Sequence, residues 1–233
     1  MIITDSQRVV DPIKWRKSAV MSQQYRLVNG EELYDIKTDP GQEKNISKEN
    51  PNQVAKMRAF YDQWWTDLKP SFAQTTEIQL GHPDHPKVTM TAHDWLNTGP
   101  PWHQGMIRGA KGGEKPKFNG HWAIKVLEEG IYKVSLLRWP EEAKHPINAT
   151  LPPGSNVPGA SKAFRTTKGV SIKATAAALL LNGKEIARKP VGKKEIAISF
   201  TTKLIKGSHA IAPIFRSPKG ETGVFYCIIE KQP

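Results

Sequence analysis

Short apolar stretches separated by turn residues run through the first 36 residues of the chain. They predict β-strands at residues 18–21, 25–28 and 33–36. Between the second and third stretches lies Asn29-Gly30, a pair that favours a tight hairpin turn because both of its positions accept positive φ. The pattern ends at a second predicted turn, Asp39-Pro40-Gly41. These signals indicate a small antiparallel sheet at the start of the chain.

The apolar spacing then changes from that of a strand to that of a helix. Asn50 can cap a helix, Pro51 suits its first turn, and Pro70 stops it. Between these positions apolar side chains recur at steps of three and four residues and form one stripe, which predicts a helix over residues 51–69. We expect the stripe to pack on the small sheet; its members are Val54, Met57, Tyr61, Trp64, Trp65 and Leu68.

After residue 70 short apolar stretches and turn residues alternate to the end, which predicts an antiparallel β-sandwich. One hairpin is expected from residues 121–127 and 130–139, and another from 177–182 and 184–187. Further strands are predicted at 195–205, 208–215 and 222–230. Two long loops rich in glycine and proline separate these stretches, at 95–117 and 140–160, and ordered loops of that length are commonly functional.

The predicted fold is therefore of the α+β class and mostly β. A first domain, residues 1–72, holds a small antiparallel sheet with one packed helix. A second domain, residues 73–233, is the antiparallel β-sandwich with its long loops. A chain of this length can bury a substantial core.

Composition narrows the possible environments and partners. The 34 lysines and arginines exceed the 22 acidic residues, giving a net charge of +12 that attracts polyanions. The basic residues are spread along the chain without an arginine-rich arm, so nucleic acid is not the expected partner. No apolar run is long enough for a membrane helix, and no export-signal pattern is present. The single cysteine, Cys227, lies in an apolar run, which predicts a buried thiol and excludes an internal disulfide.

One segment of the first domain resembles a known family. Residues 25–47, YRLVNGEELYDIKTDPGQEKNIS, are similar to the segment near the C-terminus of formylglycine-dependent sulfatases, in particular bacterial arylsulfatase-like members. The later motifs TAHDW, PPW, GHWAIKV, LRWPEEA, VPGASKAF and GSHAIAP are similar to a β-sandwich extension that one branch of bacterial sulfatases carries. The resemblance implies that this chain is the C-terminal portion of a sulfuric ester hydrolase.

The chemistry of that family is missing from these residues. Sulfatases use a formylglycine made from a Cys/Ser-x-Pro-x-Arg motif and a divalent cation, usually calcium, held by Asp and Asn oxygens. The sequence contains neither the Cys/Ser-x-Pro-x-Arg motif nor such a set of Asp and Asn metal ligands. We therefore expect no catalytic residue, no metal ligand and no cofactor in this chain. The resemblance implies a sulfatase catalytic domain as partner and a periplasmic or secreted full-length enzyme. By itself the chain is expected to be inactive.

A second hypothesis treats the chain as a non-catalytic module that binds carbohydrate, with its basic surface favouring sulfated polysaccharide. Tryptophan faces cover the C–H faces of sugars, and His or Gln side chains bind hydroxyl or sulfate oxygens. The candidate substrate-binding residues are His93, Trp95, Trp102 and His103, with Gln104 beside them on the long loop. Two alternatives remain open: these aromatic residues seal a junction with a catalytic domain, or a metal binds the nearby cluster of His82, Asp84, His85, His93 and Asp94.

Overall fold

The computed structural model of the protein describes residues 1–7, 9, 11–96, 101, 104–109, 119–155, 158–159 and 167–233. The chain divides into two compact units, Met1–Thr75 and Thr76–Pro233. Each unit has a hydrophobic core of its own. Antiparallel sheets dominate and one long helix accompanies them, so the predicted α+β, mostly β class is confirmed.

The first unit is built on an antiparallel four-stranded meander. Its strands pair in chain order, and the turn between the last two contains Asn29 at φ 49° and Gly30 at φ 73°, as the sequence predicts. A Cβ on Gly30 would lie 2.7 Å from the indole ring of Trp15, so both the turn and the packing require glycine there. The strands are β1 (Ile2–Asp5), β2 (Ser18–Met21), β3 (Tyr25–Val28) and β4 (Glu32–Asp35).

Helix α1 (Pro51–Leu68) packs on this sheet, as expected from its apolar stripe. Tyr61 is fully buried; its ring stacks on Trp15 at 3.8 Å between centroids, and its hydroxyl donates to the Asp5 carboxylate at 3.0 Å. Asn50 makes no capping bond with its side chain. It does occupy the N-cap position, as predicted, but its side-chain amide donates back to the carbonyl oxygen of Ile46 at 3.1 Å.

The second unit contains eleven strands and one short helix in its described part. They are β5 (Ile78–Leu80), β6 (Lys87–Thr91), α2 (Gln104–Gly109), β7 (Trp122–Val126), β8 (Gly130–Leu137), β9 (Ala176–Leu181), β10 (Lys184–Pro190), β11 (Ala197–Leu204), β12 (Gly207–Ile211), β13 (Ile214–Ser217), β14 (Gly220–Gly223) and β15 (Tyr226–Lys231).

These strands form two sheets. The larger has the order β14-β13-β9-β12-β7-β5, with β10 paired to β9, and the smaller has the order β11-β8-β15-β6. All pairs are antiparallel except β5 with β7. A single cluster of buried apolar side chains joins the two sheets, with Trp122 and Phe215 from the larger and Tyr132 and Phe200 from the smaller. The predicted β-sandwich is therefore present.

The predicted pairing of β7 with β8 is wrong. The sequence predicted a hairpin from residues 121–127 and 130–139, but β7 belongs to the larger sheet and β8 to the smaller. The backbone amide of Leu127 donates to the carbonyl oxygen of Leu80 at 2.9 Å, which extends the β5–β7 pairing by one residue. The chain then crosses to the other sheet. Both strands bury alternate side chains, and that pattern does not specify the partner of either strand.

Other predictions for this unit are refined. The β9–β10 hairpin around Asn182-Gly183 is confirmed, with φ values of 50° and 77°. The predicted strand at 208–215 is interrupted at Pro213, which has no amide hydrogen for pairing, and the strand at 222–230 is interrupted before Tyr226. Helix α2 lies inside the predicted loop 95–117. No helix in the described part of the chain is long and apolar enough to span a membrane.

Candidate functional site

The structure describes two of the four predicted sugar-binding residues, His93 and Trp95. His93 is exposed on a single 3-10 turn, Ala92–Asp94. Trp95 follows it but is only 5% exposed; its indole stacks on Phe225 and meets Trp122 edge to face, each at 5.8 Å between ring centroids. The faces of Trp95 therefore contact the core, and a sugar could not stack on them. Trp102 and His103 lie outside the described residues.

The histidine and aspartate cluster does not form a metal-binding arrangement among the described residues. The imidazole rings of His82 and His85 are 6.0 Å apart between centroids, and His82 Nδ1 lies 3.8 Å from the Asp84 carboxylate. The Asp94 carboxylate accepts a hydrogen bond from Thr91 at 3.3 Å. His82 and His85 flank the tight turn at Pro83-Asp84, whereas His93 and Asp94 lie on the 3-10 turn Ala92–Asp94.

A cavity of about 250 Å³ in the second unit offers a different site. It lies beside helix α2, the segment that follows strand β8, and the first residue of strand β15. Its walls combine aromatic and aliphatic side chains with a small number of polar ones, which is typical of sites for small ligands. The lining residues are Gln104, Ile107, Arg108, Trp139, Pro140, Ala143, His145, Leu151 and Tyr226.

Trp139 forms one buried wall of this cavity, which we call the Trp139 cavity. Its indole nitrogen donates to the carbonyl oxygen of Pro146 at 3.0 Å, and the side chain is 5% exposed. Lys144 adopts a left-handed conformation, φ 48°, which turns the chain back toward the indole. His145 consequently meets the Trp139 ring almost at a right angle, 84°, with 6.3 Å between the ring centroids.

The guanidinium of Arg138 lies behind the Trp139 ring, 4.3 Å from its centroid. Arg138 is fully buried, and burial lowers its pKa to about 10, which leaves it charged at neutral pH. It donates to the carbonyl oxygens of Ile147 at 3.3 Å, Ile107 at 3.1 Å and Arg108 at 3.4 Å. No carboxylate of the described residues pairs with it, and its Nε has no hydrogen-bond partner among them. Arg138 thus ties α2 to the end of β8.

Two further residues complete the polar part of the wall. Arg108 is half-buried and donates through Nε to the carbonyl oxygen of Thr167 at 2.7 Å, and it also donates to Pro152. Tyr226 is half-buried at the start of β15. Burial raises the pKa of its phenol, and the carboxylate of Glu142 adds to the rise, so the hydroxyl stays protonated and able to donate at neutral pH.

Of the residues that line this cavity, the sequence pattern singles out only Gln104, which lies beside the predicted sugar-binding tryptophans on the long loop. Trp139 belongs to the motif LRWPEEA, which carries part of the resemblance to the sulfatase extension and predicts no site, and His145 lies two residues beyond that motif. The available signal was a tryptophan at the end of a strand followed by proline, since strand ends and the loops after them commonly carry binding residues.

No protein-family model and no curated protein matches this sequence. Parts of the chain superpose on solved structures. A ruminal GH26 endo-β-1,4-mannanase matches with a TM-score of 0.35 and 15% identity, over 66% of this chain and 27% of that one. A family 35 carbohydrate-binding module from an environmental isolate matches with a TM-score of 0.28 and 10% identity, over 49% and 69% of the two chains.

A family 35 carbohydrate-binding module from Clostridium thermocellum is also similar, with a TM-score of 0.28 and 12% identity, over 64% of this chain and 90% of that one. The structures similar to this chain thus include carbohydrate-binding modules, and none of these three is a sulfatase. Superpositions at such low TM-scores do not bear on function.

Proposed function

We propose that the second unit is a non-catalytic carbohydrate-binding β-sandwich and that the Trp139 cavity holds one sugar residue. The observation that carries this proposal is the composition of the cavity wall. Trp139 and Tyr226 supply apolar ring surface for the C–H groups of a pyranose. Gln104, His145 and Arg108 supply donors and acceptors for its hydroxyl groups. A volume of about 250 Å³ lies just below the usual range for drug-sized ligands, roughly 300–1,000 Å³, and suits a single ring.

The absence of carboxylates from the described wall favours binding over hydrolysis. Glycoside hydrolysis ordinarily requires two carboxyl groups on opposite sides of the scissile bond. No aspartate or glutamate is among the described residues that line the cavity. Cys227 is fully buried in the core, and burial raises the pKa of its thiol well above the usual value, so it is not available as a nucleophile.

Affinity gel electrophoresis of the full chain on neutral and acidic plant and algal polysaccharides tests this proposal. We expect at least one polysaccharide to retard the protein. Gln104→Ala and His145→Ala should weaken that retardation, because each removes a polar group from the wall. Gln79→Ala and His85→Ala are matched controls on exposed positions of the same unit and should have no effect. No retardation on any polysaccharide, or equal losses in the controls, would overturn the proposal.

We also propose, on the sequence resemblance, that the chain is the C-terminal part of an arylsulfatase-like hydrolase whose catalytic domain packs against the first unit. One observation favours this second candidate. A groove of about 340 Å³ on the first unit is lined with aromatic and apolar side chains that the unit itself leaves half-exposed, including Trp64, Trp65 and Phe72. Apolar surface of this kind is common where one protein domain packs against another, which supports the proposal.

Formylglycine and calcium would then be supplied by the catalytic domain. The described residues of this chain offer no cluster of three or more metal-binding side chains, so no step of ester hydrolysis is assigned to them. We expect the purified chain to leave an aryl sulfate intact with or without added calcium. Calcium-dependent turnover by the purified chain would contradict this assignment. The DNA upstream of the coding region should encode a Cys/Ser-x-Pro-x-Arg motif if the reading frame continues there.

A further inference from the structure

We infer that the Trp139 cavity selects an anionic sugar, a pyranose that carries a carboxylate or a sulfate group, and that the charge of Arg138 and Arg108 makes the selection. This inference rests on the proposed carbohydrate site and adds the chemical class of its ligand. It depends on the distribution of charge around the cavity and not on the net charge of the whole chain.

The first observation is a buried positive charge without a counter-charge among the described residues. Arg138 is 0% exposed, and its hydrogen-bond partners are three neutral carbonyl oxygens. Removing a charge from water is costly unless an opposite charge or several dipoles compensate it. The carbonyl groups compensate only in part, because the Nε of Arg138 has no partner within the described residues. An anion nearby would therefore be stabilised by the remaining field.

The second observation is that this charge lies directly behind the cavity wall. The guanidinium faces the ring of Trp139, and the carbonyl oxygens of Ile107 and Arg108 accept its hydrogen bonds; all three residues line the cavity. Arg108 brings a second positive charge to the wall itself. Its Nε and one terminal nitrogen bind backbone carbonyls, which hold the guanidinium in place at the cavity.

The acidic residues near the cavity are more exposed to solvent than Arg108 and Arg138. Glu142 is the carboxylate whose charge contributes to the raised pKa of Tyr226, and its side chain is exposed to solvent. The neighbouring Glu141 is paired with Lys87 at 3.0 Å. Water screens exposed charges far more than buried ones, so the two arginines dominate the field inside the cavity.

The ligand would use these features together. Its ring would pack against Trp139 and Tyr226, and its anionic group would accept charge-assisted hydrogen bonds from Arg108. Arg138 would act through its field without touching the sugar. A neutral sugar would keep the ring contacts and the hydroxyl bonds, including any from Arg108, but would lack the attraction between two opposite charges.

Matched pairs of small sugars test this with the whole 233-residue chain. The probes are galactose against galacturonate, and N-acetylglucosamine against its 6-sulfate, titrated while the indole N–H signals of the protein are followed by NMR. We expect at least one anionic sugar to bind about tenfold more tightly than its neutral partner at low salt. The preference should shrink as salt rises, since part of the interaction is screened. The two pairs distinguish a carboxylate from a sulfate ligand.

Substitutions identify the residues that cause the preference for the anionic sugar. Arg108→Gln should reduce the preference by about five- to tenfold, and Glu142→Gln should increase it by about two- to threefold. Arg138→Met should also reduce it, provided that thermal unfolding shows the second unit intact. Lys193→Gln, which removes a single positive charge at an exposed position outside the cavity, should leave it unchanged.

The outcomes separate this inference from the proposed function. Equal affinity for neutral and anionic partners would overturn the inference and leave the carbohydrate site standing. If no sugar and no polysaccharide binds, both the inference and the proposed carbohydrate-binding function are wrong. An anionic preference that Arg108→Gln and Glu142→Gln do not change would place the anion elsewhere on the molecule and would also overturn the inference.

Discussion

Replacement of Trp95 by alanine distinguishes a packing role from a binding role for this residue. The indole is 5% exposed and lies between Trp122 and Phe225. The backbone of Gly120 approaches it so closely that a Cβ there would lie 2.4 Å from the Trp95 side chain. Burial of a tryptophan removes about 150–250 Å² from water, or roughly 4–6 kcal/mol at about 25 cal/mol per Å². Measured Trp→Ala substitutions in cores cost about 3–5 kcal/mol.

We therefore expect Trp95→Ala to lower the free energy of unfolding of the second unit by about 4 kcal/mol. Because the chain has two units, the unfolding of each must be followed separately. Methyl NMR signals of Ile124 and Ile229, which lie in the core of the second unit, report on it during a urea titration. Trp95→Phe should recover much of the loss, because a ring still fills most of the space. Unchanged stability together with lost polysaccharide retardation in Trp95→Ala would refute the packing argument.

Three further predictions follow from local contacts. The Asn148 side chain donates to the carbonyl oxygen of Ala174 at 2.9 Å and accepts from the Ala174 N–H at 2.8 Å. Asn148→Ala should therefore cost about 2–4 kcal/mol of unfolding free energy in the second unit, and Asn148→Asp should not fully restore it, because a carboxylate cannot donate. The Asp39 carboxylate accepts hydrogen bonds from the backbone amides of Lys44 and Glu43, which lower its pKa. Its contribution to stability is present above the unfolded pKa of about 3.9 and is lost as pH falls through the lower folded value. Asp39→Asn should therefore reduce the acid sensitivity of the first unit, measured by far-UV circular dichroism during an acid titration. Burial raises the pKa of the Cys227 thiol, so iodoacetamide should modify it only after unfolding; rapid alkylation of the folded chain would contradict the packed core.

The elements that the sequence predicted well depend on neighbouring residues. The hairpin at Asn29-Gly30 forms because both positions accept positive φ, and the helix from Pro51 begins at proline and buries Met57 and Tyr61 from one stripe. The buried state of Cys227 was also predicted, since it lies within a continuous apolar strand. In each case a few consecutive residues contain the physical cause.

The predictions that failed concern residues brought together from distant parts of the chain. Strands β7 and β8 look like a hairpin, but each pairs with strands far away in sequence. Trp95 lies on a segment rich in glycine and proline and resembles a surface aromatic, yet Trp122 and Phe225 enclose it. Neither the pairing of these strands nor the burial of Trp95 follows from the residues next to them in the sequence.

The sequence by itself determined the fold class, the turns and the one long helix, because periodicity, proline and positive φ act over a few residues. Only the tertiary structure decided that Trp139, His145, Tyr226 and the α2 side chains surround one cavity with Arg138 buried behind it. These residues come from separate segments of the chain. Their burial and charge environment follow from the packing of two sheets, which no local pattern encodes.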